Sequence, residues 1–517
     1  NLSTLWDVIN MTSDESGNST EAKINELERL YNISTDVTTD NLRSILGSSS
    51  DFTCRVLLIR EKSELPATLA YIDGLVDSKI INDNILKPLA ENELFDICGS
   101  EAEASALIST GAVYSASIKV ITNMKDLIDD MLTGNAAVIF SSEKAAFSFG
   151  AKSELSRSIS EPTGENVIKG SKDSFIESLR TNTALCRLKV KSPYLEIEEL
   201  QVGRQTKTKV AILYIKSIAA DKLVNEVKKR LKAIEVDGLL IPGVLEEFIV
   251  DEKFSTFPQI LYTERPDRFC SSLVDGRVGI IIEGTPLAYI VPGTLLQFFQ
   301  TPDDYSIQFI VGSALRLIRF MAMFITLVLP SFYICITSFH PEMLPAELAF
   351  SIVAAKEGVP FPMFVEVIIL LIAFELLVEA GLRLPKTIGQ TVSIVGALVV
   401  GQAAVEAKIL SPATVIVVAI TAIASFTLPN QDFSNAIRIW RFMLVIFSSI
   451  IGMFGLTFGL IFLLYHWCRL ESFGVPYLDP FVANEDEQLQ DTIFRFPIST
   501  MKKRPSGLNT KNKKRME

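Results

Sequence analysis

The chain has 517 residues, a formal net charge of −11 and 48% apolar residues, which allows two or three folding units. No dense basic stripe occurs among its predicted soluble elements, so nucleic-acid binding is set aside. Six scattered cysteines without a CxxC pair, and two histidines at His340 and His466, argue against zinc sites, disulfide scaffolds and most hydrolase chemistry. The sequence therefore predicts a non-enzyme without metal or cofactor.

The first 50 residues are rich in Ser, Thr, Asn and Asp, which predicts a loosely ordered lead-in with one helix near Glu21–Tyr31. The polar stretch Met11–Thr20 is not typical of a signal peptide, so we expect the N-terminal region to stay in the cytoplasm.

Residues 51–152 alternate short apolar strands with helical stretches and predict a first α/β, or α+β, subdomain. Cys54–Ile59 is expected to be a buried strand. Asn123 can cap a helix over Met124–Leu132. Ala136–Ser141 and Ala145–Phe149 predict a hairpin.

Residues 153–190 contain a Ser, Pro and Gly-rich connector and a predicted linking helix, Asp173–Arg187. A second α/β subdomain follows over 191–305, with predicted strands Leu195–Val202 and Val210–Ile215, the helix Asp221–Ala233, and a hairpin of Val278–Ile282 with Leu287–Val291. Two such units in tandem predict a bilobed region with a cleft or hinge that could bind a ligand; a pair of rigid spacer domains is the alternative.

The second half, residues 306–470, is predicted to be a transmembrane helical domain, because a spanning helix needs about 20 mostly apolar residues. Arg316 and Arg319 in the first stretch are expected to snorkel to lipid headgroups. With five spans and a cytoplasmic N-terminus, the basic tail, 471–517, would lie on the outer side, against the usual distribution of Lys and Arg. Either a sixth or re-entrant pass is present, or the tail is too far from the bilayer to count. The five qualifying stretches are Ala314–Ser338, Met363–Gly381, Ile388–Val405, Leu410–Leu428 and Ile439–Trp467.

Charged residues in a spanning helix usually face protein or water. Glu375, Glu379 and Arg383 follow one another at about 40° around the second predicted span and form one stripe, which we expect to face a neighbouring helix. An ion pathway and a salt-bridged packing seam are both open. Glu366 falls on the opposite side and needs another partner or an interfacial position.

The third predicted span carries the candidate pore. Its small residues recur every fourth position and favour close helix packing on that side: Gly389, Ser393, Ala397 and Gly401. An adjacent stripe, polar at both ends and apolar in the middle, consists of Gln390, Ile394, Leu398 and Gln402. In a ring of identical helices this stripe would give hydrated mouths and an apolar collar that gates by dewetting. A helix buried within its own bundle is the alternative.

After residue 130 a series of motifs, occurring in the same order along the chain, resembles the A subunit of spore germinant receptors, the GerA family of endospore-forming bacteria. In the soluble half they include Phe257-Pro258-Gln259, Thr263 to Asp267, Gly276-Arg277-Val278 and Pro302-Asp303-Asp304-Tyr305. In the membrane half they include Gly358 to Pro362, Glu379 to Pro385, Ile388-Gly389-Gln390, Gly401 to Glu406 and Ala424-Ser425-Phe426. A spore-membrane paralogue that is not a nutrient receptor proper is similar to the same family.

The resemblance implies a multi-pass protein of the inner spore membrane, with its N-terminal domain on the spore-core side. It implies assembly with a transporter-like B subunit and a lipoprotein C subunit, a nutrient germinant acting through the complex, and release of monovalent cations. Together with the candidate pore, it predicts an oligomeric, nutrient-gated cation channel that self-associates into a ring. A non-conducting scaffold that transmits the signal, or a paralogue that amplifies germination, is the alternative.

Overall fold

The computed structural model describes residues 36–59, 65–113, 117–140, 142–153, 162, 164, 165, 167, 169–384, 401–482 and 490–516. Two five-stranded sheets are followed by a bundle of helices. The helix expected near Glu21–Tyr31 lies outside the described residues.

The first sheet has the strand order β1-β2-β4-β5-β3, with every pair antiparallel. Alternate residues of β4 pack on opposite faces: Val138 contacts one layer of helices and Ile139 the other. The elements are α1 (Thr39–Leu46), β1 (Phe52–Ile59), β2 (Leu65–Ile72), α2 (Ser78–Ile81), α3 (Lys87–Glu91), α4 (Glu101–Ser109), β3 (Ile118–Ile121), α5 (Met124–Met131), β4 (Asn135–Phe140) and β5 (Ala145–Gly150).

Two predictions for this subdomain are confirmed and one is wrong. Asn123 accepts a hydrogen bond from Lys125 N–H at the start of α5, and β4 and β5 form the expected hairpin. The first strand, however, is not buried. It lies at the edge of the sheet, paired only with β2, and Val56 and Leu58 on one of its faces are 62% and 61% exposed.

The second sheet repeats the topology of the first, with the order β6-β7-β9-β10-β8 and antiparallel pairs throughout. The predicted strands and hairpin are present, whereas the predicted linking helix starts only at Leu179, where Ser178 caps it. The elements are α6 (Leu179–Lys189), β6 (Leu195–Val202), β7 (Thr208–Ile215), α7 (Asp221–Lys232), α8 (Pro242–Ile249), β8 (Leu261–Thr263), α9 (Pro266–Val274), β9 (Val278–Ile282) and β10 (Ala288–Val291).

A buried ion pair joins the two sheet units. Arg187 on α6 donates to Asp51 at 2.8 Å, and both side chains are almost completely buried. The Ser50 N–H also donates to the carbonyl of Ile197 at 2.8 Å. Because a lone buried charge is costly, this pair holds the two units together at that point.

The helical bundle follows a short helix that leads out of the second subdomain. Among the described residues, two helices are both long and apolar enough to cross a membrane, Phe309–Phe339 and Gln431–Ile451, not the five or six that the sequence predicts. The helices are α10 (Pro302–Ser306), α11 (Phe309–Ile334), α12 (Ala346–Ala355), α13 (Met363–Arg383), α14 (Pro412–Phe426), α15 (Gln431–Ile451) and α16 (Met453–Arg469). Two-residue strands β11 (Glu471–Ser472) and β12 (Val475–Pro476) follow.

The difference has identifiable causes. Helix α13 carries three carboxylates, which reduce its apolar character. Most of the third predicted span lies outside the described residues. The fifth predicted span is not one helix, because the chain reverses at Gly452, whose φ is +63°. Helices α15 and α16 then pack antiparallel, with Gly455 against the Phe447 carbonyl and Gly459 against Leu444.

The basic tail packs on the second sheet subdomain. Arg504 donates to the carbonyl of Val274 at 2.9 Å, Lys511 pairs with Asp221 at 2.6 Å, and Arg515 pairs with Asp275 at 3.2 Å. The chain therefore enters and leaves the bundle next to the same soluble unit.

Candidate functional site

The junction between the soluble unit and the bundle is built around Asp304. This carboxylate is completely buried and pairs with Arg319 at 2.9 Å and with Arg316 at 3.4 Å, both on α11. The expectation that these arginines snorkel to headgroups is therefore wrong, since Arg316 is completely buried in protein. Asp304 supplies the compensating charge, so the basic start of α11 is a structural anchor.

The tail contributes to the same network. Arg316 donates to Asp491 at 2.8 Å, and the Tyr305 hydroxyl donates to Asp491 at 2.6 Å. Arg495 donates to the carbonyls of Asp304 and Ile307. One cluster of ion pairs and hydrogen bonds thus connects the soluble unit, the first helix of the bundle and the tail.

An aromatic cluster forms a second connection. Phe257 of the soluble unit lies between α15 and α16, with ring centroids 6.2 Å from Trp440 and 5.4 Å from Trp467. Beside it, Trp440 Nε1 donates to the Thr256 hydroxyl at 3.0 Å. Such packing of large rings is typical of a rigid contact, so a displacement of α15 would be felt by the loop that carries Phe257.

The predicted charged stripe is divided by the structure. Glu375 on α13 reaches across to α15, where it accepts from Arg441 at 2.5 Å and lies 3.6 Å from Arg438. Glu379 instead pairs with Arg383 on its own helix at 2.6 Å, and both are exposed. Only the first member of the stripe therefore contacts a neighbouring helix among the described residues.

Glu366, on the other side of α13, has the separate partners that its position required. It is completely buried and accepts from the Ser411 N–H at 2.8 Å and from the Thr414 hydroxyl at 3.3 Å. Lys356 lies 3.9 Å away. This carboxylate therefore caps the start of α14, where the unpaired N–H groups of the first helical turn favour negative charge.

The candidate pore stripe is only partly visible. Gln390, Ile394 and Leu398 lie outside the described residues, as do Gly389, Ser393 and Ala397 of the small-residue face. Gly401 and Gln402 belong to the described helical segment 401–406.

The two described residues, Gly401 of the small-residue face and Gln402 of the polar stripe, point in different directions. A side chain at Gly401 would meet Val415 of α14 at 3.7 Å, so this position faces the bundle. Gln402 is exposed and donates to Glu406 at 2.8 Å. Successive helical residues differ by about 100°, so Gln402 points in a different direction from the side of the helix that contacts α14 at Gly401.

Arg438, Arg441 and Asp491 were not recognised as site residues from sequence. Glu375 could have pointed to the two arginines, because a glutamate in an apolar helix requires a cation and they are three residues apart on α15. Asp491 gave no such signal, since its partner Arg316 is 175 positions away. Among the described residues, no group of three His, Cys, Asp or Glu side chains is arranged to hold a metal ion.

Comparison with known proteins agrees with the motifs. The family model of the Bacillus/Clostridium GerA spore germination protein matches residues 40–507. Spore germination protein B1 of Bacillus subtilis (strain 168) is 42% identical over 467 residues, covering 90% of this chain and 95% of that protein. Spore germination protein KA of the same organism is 39% identical over 470 residues, covering 91% and 86% of the two chains.

An uncharacterized membrane protein of the same organism, YfkQ, is 40% identical over 444 residues and covers 86% of each chain. The crystal structure of the N-terminal domain of the A subunit of the Bacillus megaterium spore germinant receptor GerK3 is 31% identical, with a TM-score of 0.39, and covers 51% of this chain and 98% of that one. The resemblance found in the motifs is confirmed by the family match: this chain belongs to the GerA family of spore germination proteins.

Proposed function

We propose that the protein is the A subunit of a nutrient-sensing spore germinant receptor and that several copies of its bundle form a cation channel. One observation carries the conducting role. The exposed side chains of Gln402 and Glu406 form a polar pair, whereas the exposed side chains of the neighbouring α14 are apolar, for example Ile423 at 67% exposure. Lipid would penalise such a pair, so water or further copies of the chain cover it.

The pore then consists of a ring of helices over 388–405. Gly401 packs on α14, and Gln402 faces the axis of the ring. Water meets Gln390 and Gln402 at the two mouths, while Ile394 and Leu398 close the pore between them by dewetting. The small residues Gly389, Ser393 and Ala397 allow the helix to approach its own bundle closely.

The bundle crosses the membrane an even number of times in this proposal. The exposed large side chains of α16 are apolar, as Phe458 at 55% and Ile461 at 65% illustrate, which suits contact with lipid. The tail packs on the soluble unit, so both lie on one side. We place that side in the spore core and the bundle in the inner spore membrane, with six passes including 388–405.

Nutrient germinants act through the whole receptor, which includes a transporter-like B subunit and a lipoprotein C subunit. A ligand opens the channel only if it binds the open state more tightly than the closed state. The number of copies tests the proposal: the mass and averaged images of the purified receptor are expected to show several A chains around one axis beside residues 388–405. A single A chain per receptor would refute the ring.

A non-conducting coupling subunit is the second candidate, favoured by the network around Asp304. It links the soluble unit, α11 and the tail, as a signal-transmitting element requires. Under this candidate, Asp304→Asn abolishes the nutrient response, while liposomes containing the wild-type receptor show no cation flux. Flux from wild-type receptor would reject it in favour of the channel.

A further inference from the structure

An apolar surface projects from the soluble unit beside the base of the bundle. Four large side chains on and around α8 are exposed, and we call them the apolar rim: Leu240 at 81%, Ile241 at 67%, Phe248 at 43% and Phe254 at 96%. Their neighbours Leu245 and Ile249 are buried in the core, so the segment is folded while these four side chains stay exposed. An apolar cluster of this kind commonly marks an interaction surface.

The apolar rim lies where α15 and α16 meet the soluble unit. Ser255, next to Phe254, is hydrogen-bonded to His466 near the end of α16 at 3.0 Å. Thr256 accepts from Trp440 on α15. A cavity of about 150 Å³ lies beside Phe254 and is also lined by Arg469, the last residue of α16.

Helix α8 reaches the base of α15 as well. Burial raises the pKa of Glu246 to about 7, and the nearby charge of Asp432, in the first turn of α15, contributes to the rise. Phe254 and α8 therefore lie beside the ends of α15 and α16, whose outer surface is apolar, with Ile439 and Leu464 about half exposed.

We infer that the apolar rim inserts into the membrane surface, with lipid as its occupant. This inference rests on the proposed position of the bundle in the bilayer. At the level where α15 and α16 leave the bilayer, an adjacent projection of the same chain meets the boundary between headgroups and acyl chains. Interfacial elements bury apolar side chains about 5–10 Å into this boundary.

The charged residues at the surface fit the same position. The ammonium group of Lys253 lies over the Phe248 ring, 5.8 Å from its centre, so a cation that can pair with headgroup phosphates stands at the apolar rim. Arg469 is exposed at the same level. Lys253 and Arg469 are thus placed to meet phosphates, and the carboxylates of Glu247 and Glu252 lie at the same surface.

Spin-label depth measurement tests the inference on the full chain in lipid nanodiscs. The exposed or half-exposed Cys54 and Cys468 are first replaced by serine, and one new cysteine is introduced as Phe254→Cys or Phe248→Cys. The matched control is Leu94→Cys, a half-exposed apolar residue of the first subdomain. Thermal unfolding identifies variants that retain the fold.

We expect labels at 254 and 248 to collide with dissolved oxygen, to be shielded from a water-soluble nickel chelate, and to report a depth of about 5–10 Å below the phosphates. The label at 94 remains in water. The inference would be overturned if the labels at 254 and 248 were as accessible to the nickel chelate as the label at 94. It would also be overturned if shielding appeared only after a partner subunit was added. Shielding from both nickel and lipid-dissolved oxygen would also overturn it, because protein would then cover the surface.

The outcome is independent of conduction. If the labels are shielded by lipid but the protein passes no cations, the membrane contact of the apolar rim is supported and the channel is rejected. If the labels stay in water but the protein conducts, the channel is supported and the membrane contact is rejected.

Discussion

Glu375 on α13 and Arg441 on α15 form an ion pair of 2.5 Å between two helices of the bundle. Arg441 is completely buried, and no other carboxylate within ion-pair distance of it is found among the described residues. The arginine therefore depends on Glu375 for its charge compensation, and the two helices are held in register by the pair.

Glu375→Gln is expected to destabilise the protein by about 3–5 kcal/mol, because it leaves the buried arginine without a counter-charge. Thermal unfolding of the detergent-solubilised protein measures the effect. Glu379→Gln is the control, since its exposed pair with Arg383 contributes about 0.5 kcal/mol or less. Equal small effects of the two substitutions would show that the Glu375 pair is not buried.

The same pair distinguishes the two interpretations of the charged stripe. Glu375 also lies 3.6 Å from Arg438, so all three charges are replaced together. The triple variant Glu375→Leu, Arg438→Leu, Arg441→Leu is expected to be more stable than Glu375→Gln and to retain cation flux if the pair is a packing seam. Loss of flux in a stable triple variant would instead assign the pair to the ion pathway.

Gly452→Ala is expected to weaken the hairpin of α15 and α16. Its φ of +63° disfavours any side chain, and an added Cβ would approach the Phe339 ring to 2.8 Å. We expect a loss of about 2 kcal/mol or more, from backbone strain and displacement of the ring. Gly474→Ala is the control, because φ is also positive there but no atom lies within 4 Å. Equal losses of stability at both sites would contradict the packing at Gly452.

Glu246 predicts a pH dependence. Burial, and to a smaller extent the charges of Asp432 and Glu247, raise its pKa from 4.5 to about 7. Its folded-state pKa lies above the unfolded value, so stability from this residue is fully present below about pH 4.5 and is lost as the pH rises to about 7. Glu246→Gln is expected to gain stability over the wild type by about 1–3 kcal/mol above pH 7 and little below pH 4.5. Unfolding midpoints across this range measure the difference, and a difference independent of pH would contradict it.

The position of the tail predicts a labelling pattern. Cysteines introduced as Lys207→Cys in the β6–β7 turn and as Lys502→Cys in the tail are expected to react with an impermeant thiol reagent from the same side of the membrane. Glu342→Cys, after the far end of α11, is expected to react from the opposite side. Opposite reactivity of the first two sites would show an odd number of crossings.

Much of the fold could be predicted from local sequence patterns. The alternation of strand and helix, the Asn123 cap and both hairpins could be recognised because each depends on residues close together in the chain. The edge position of β1 could not be recognised in this way, since it depends on which strands pair with β1. The duplicated strand order could not either, because the two units share topology without a clear sequence repeat.

The candidate site was harder to predict from the sequence than the fold. The apolar stretch Ile439–Trp467 predicted one long span, but hydropathy does not show where a helix reverses. The snorkelling expected for Arg316 was reasonable for an isolated helix and failed because Asp304 and the distant Asp491 enclose it. Long-range ion pairs of this kind follow from tertiary structure alone.

Cation flux through liposomes containing the purified receptor tests the central claim most directly. The channel account predicts germinant-dependent flux that is altered by Leu398→Ala, which widens the apolar collar, and unaltered by Leu376→Ala, a control on α13 whose side chain is 66% exposed. Absence of flux from the wild-type receptor, or flux unchanged by Leu398→Ala, would contradict the account.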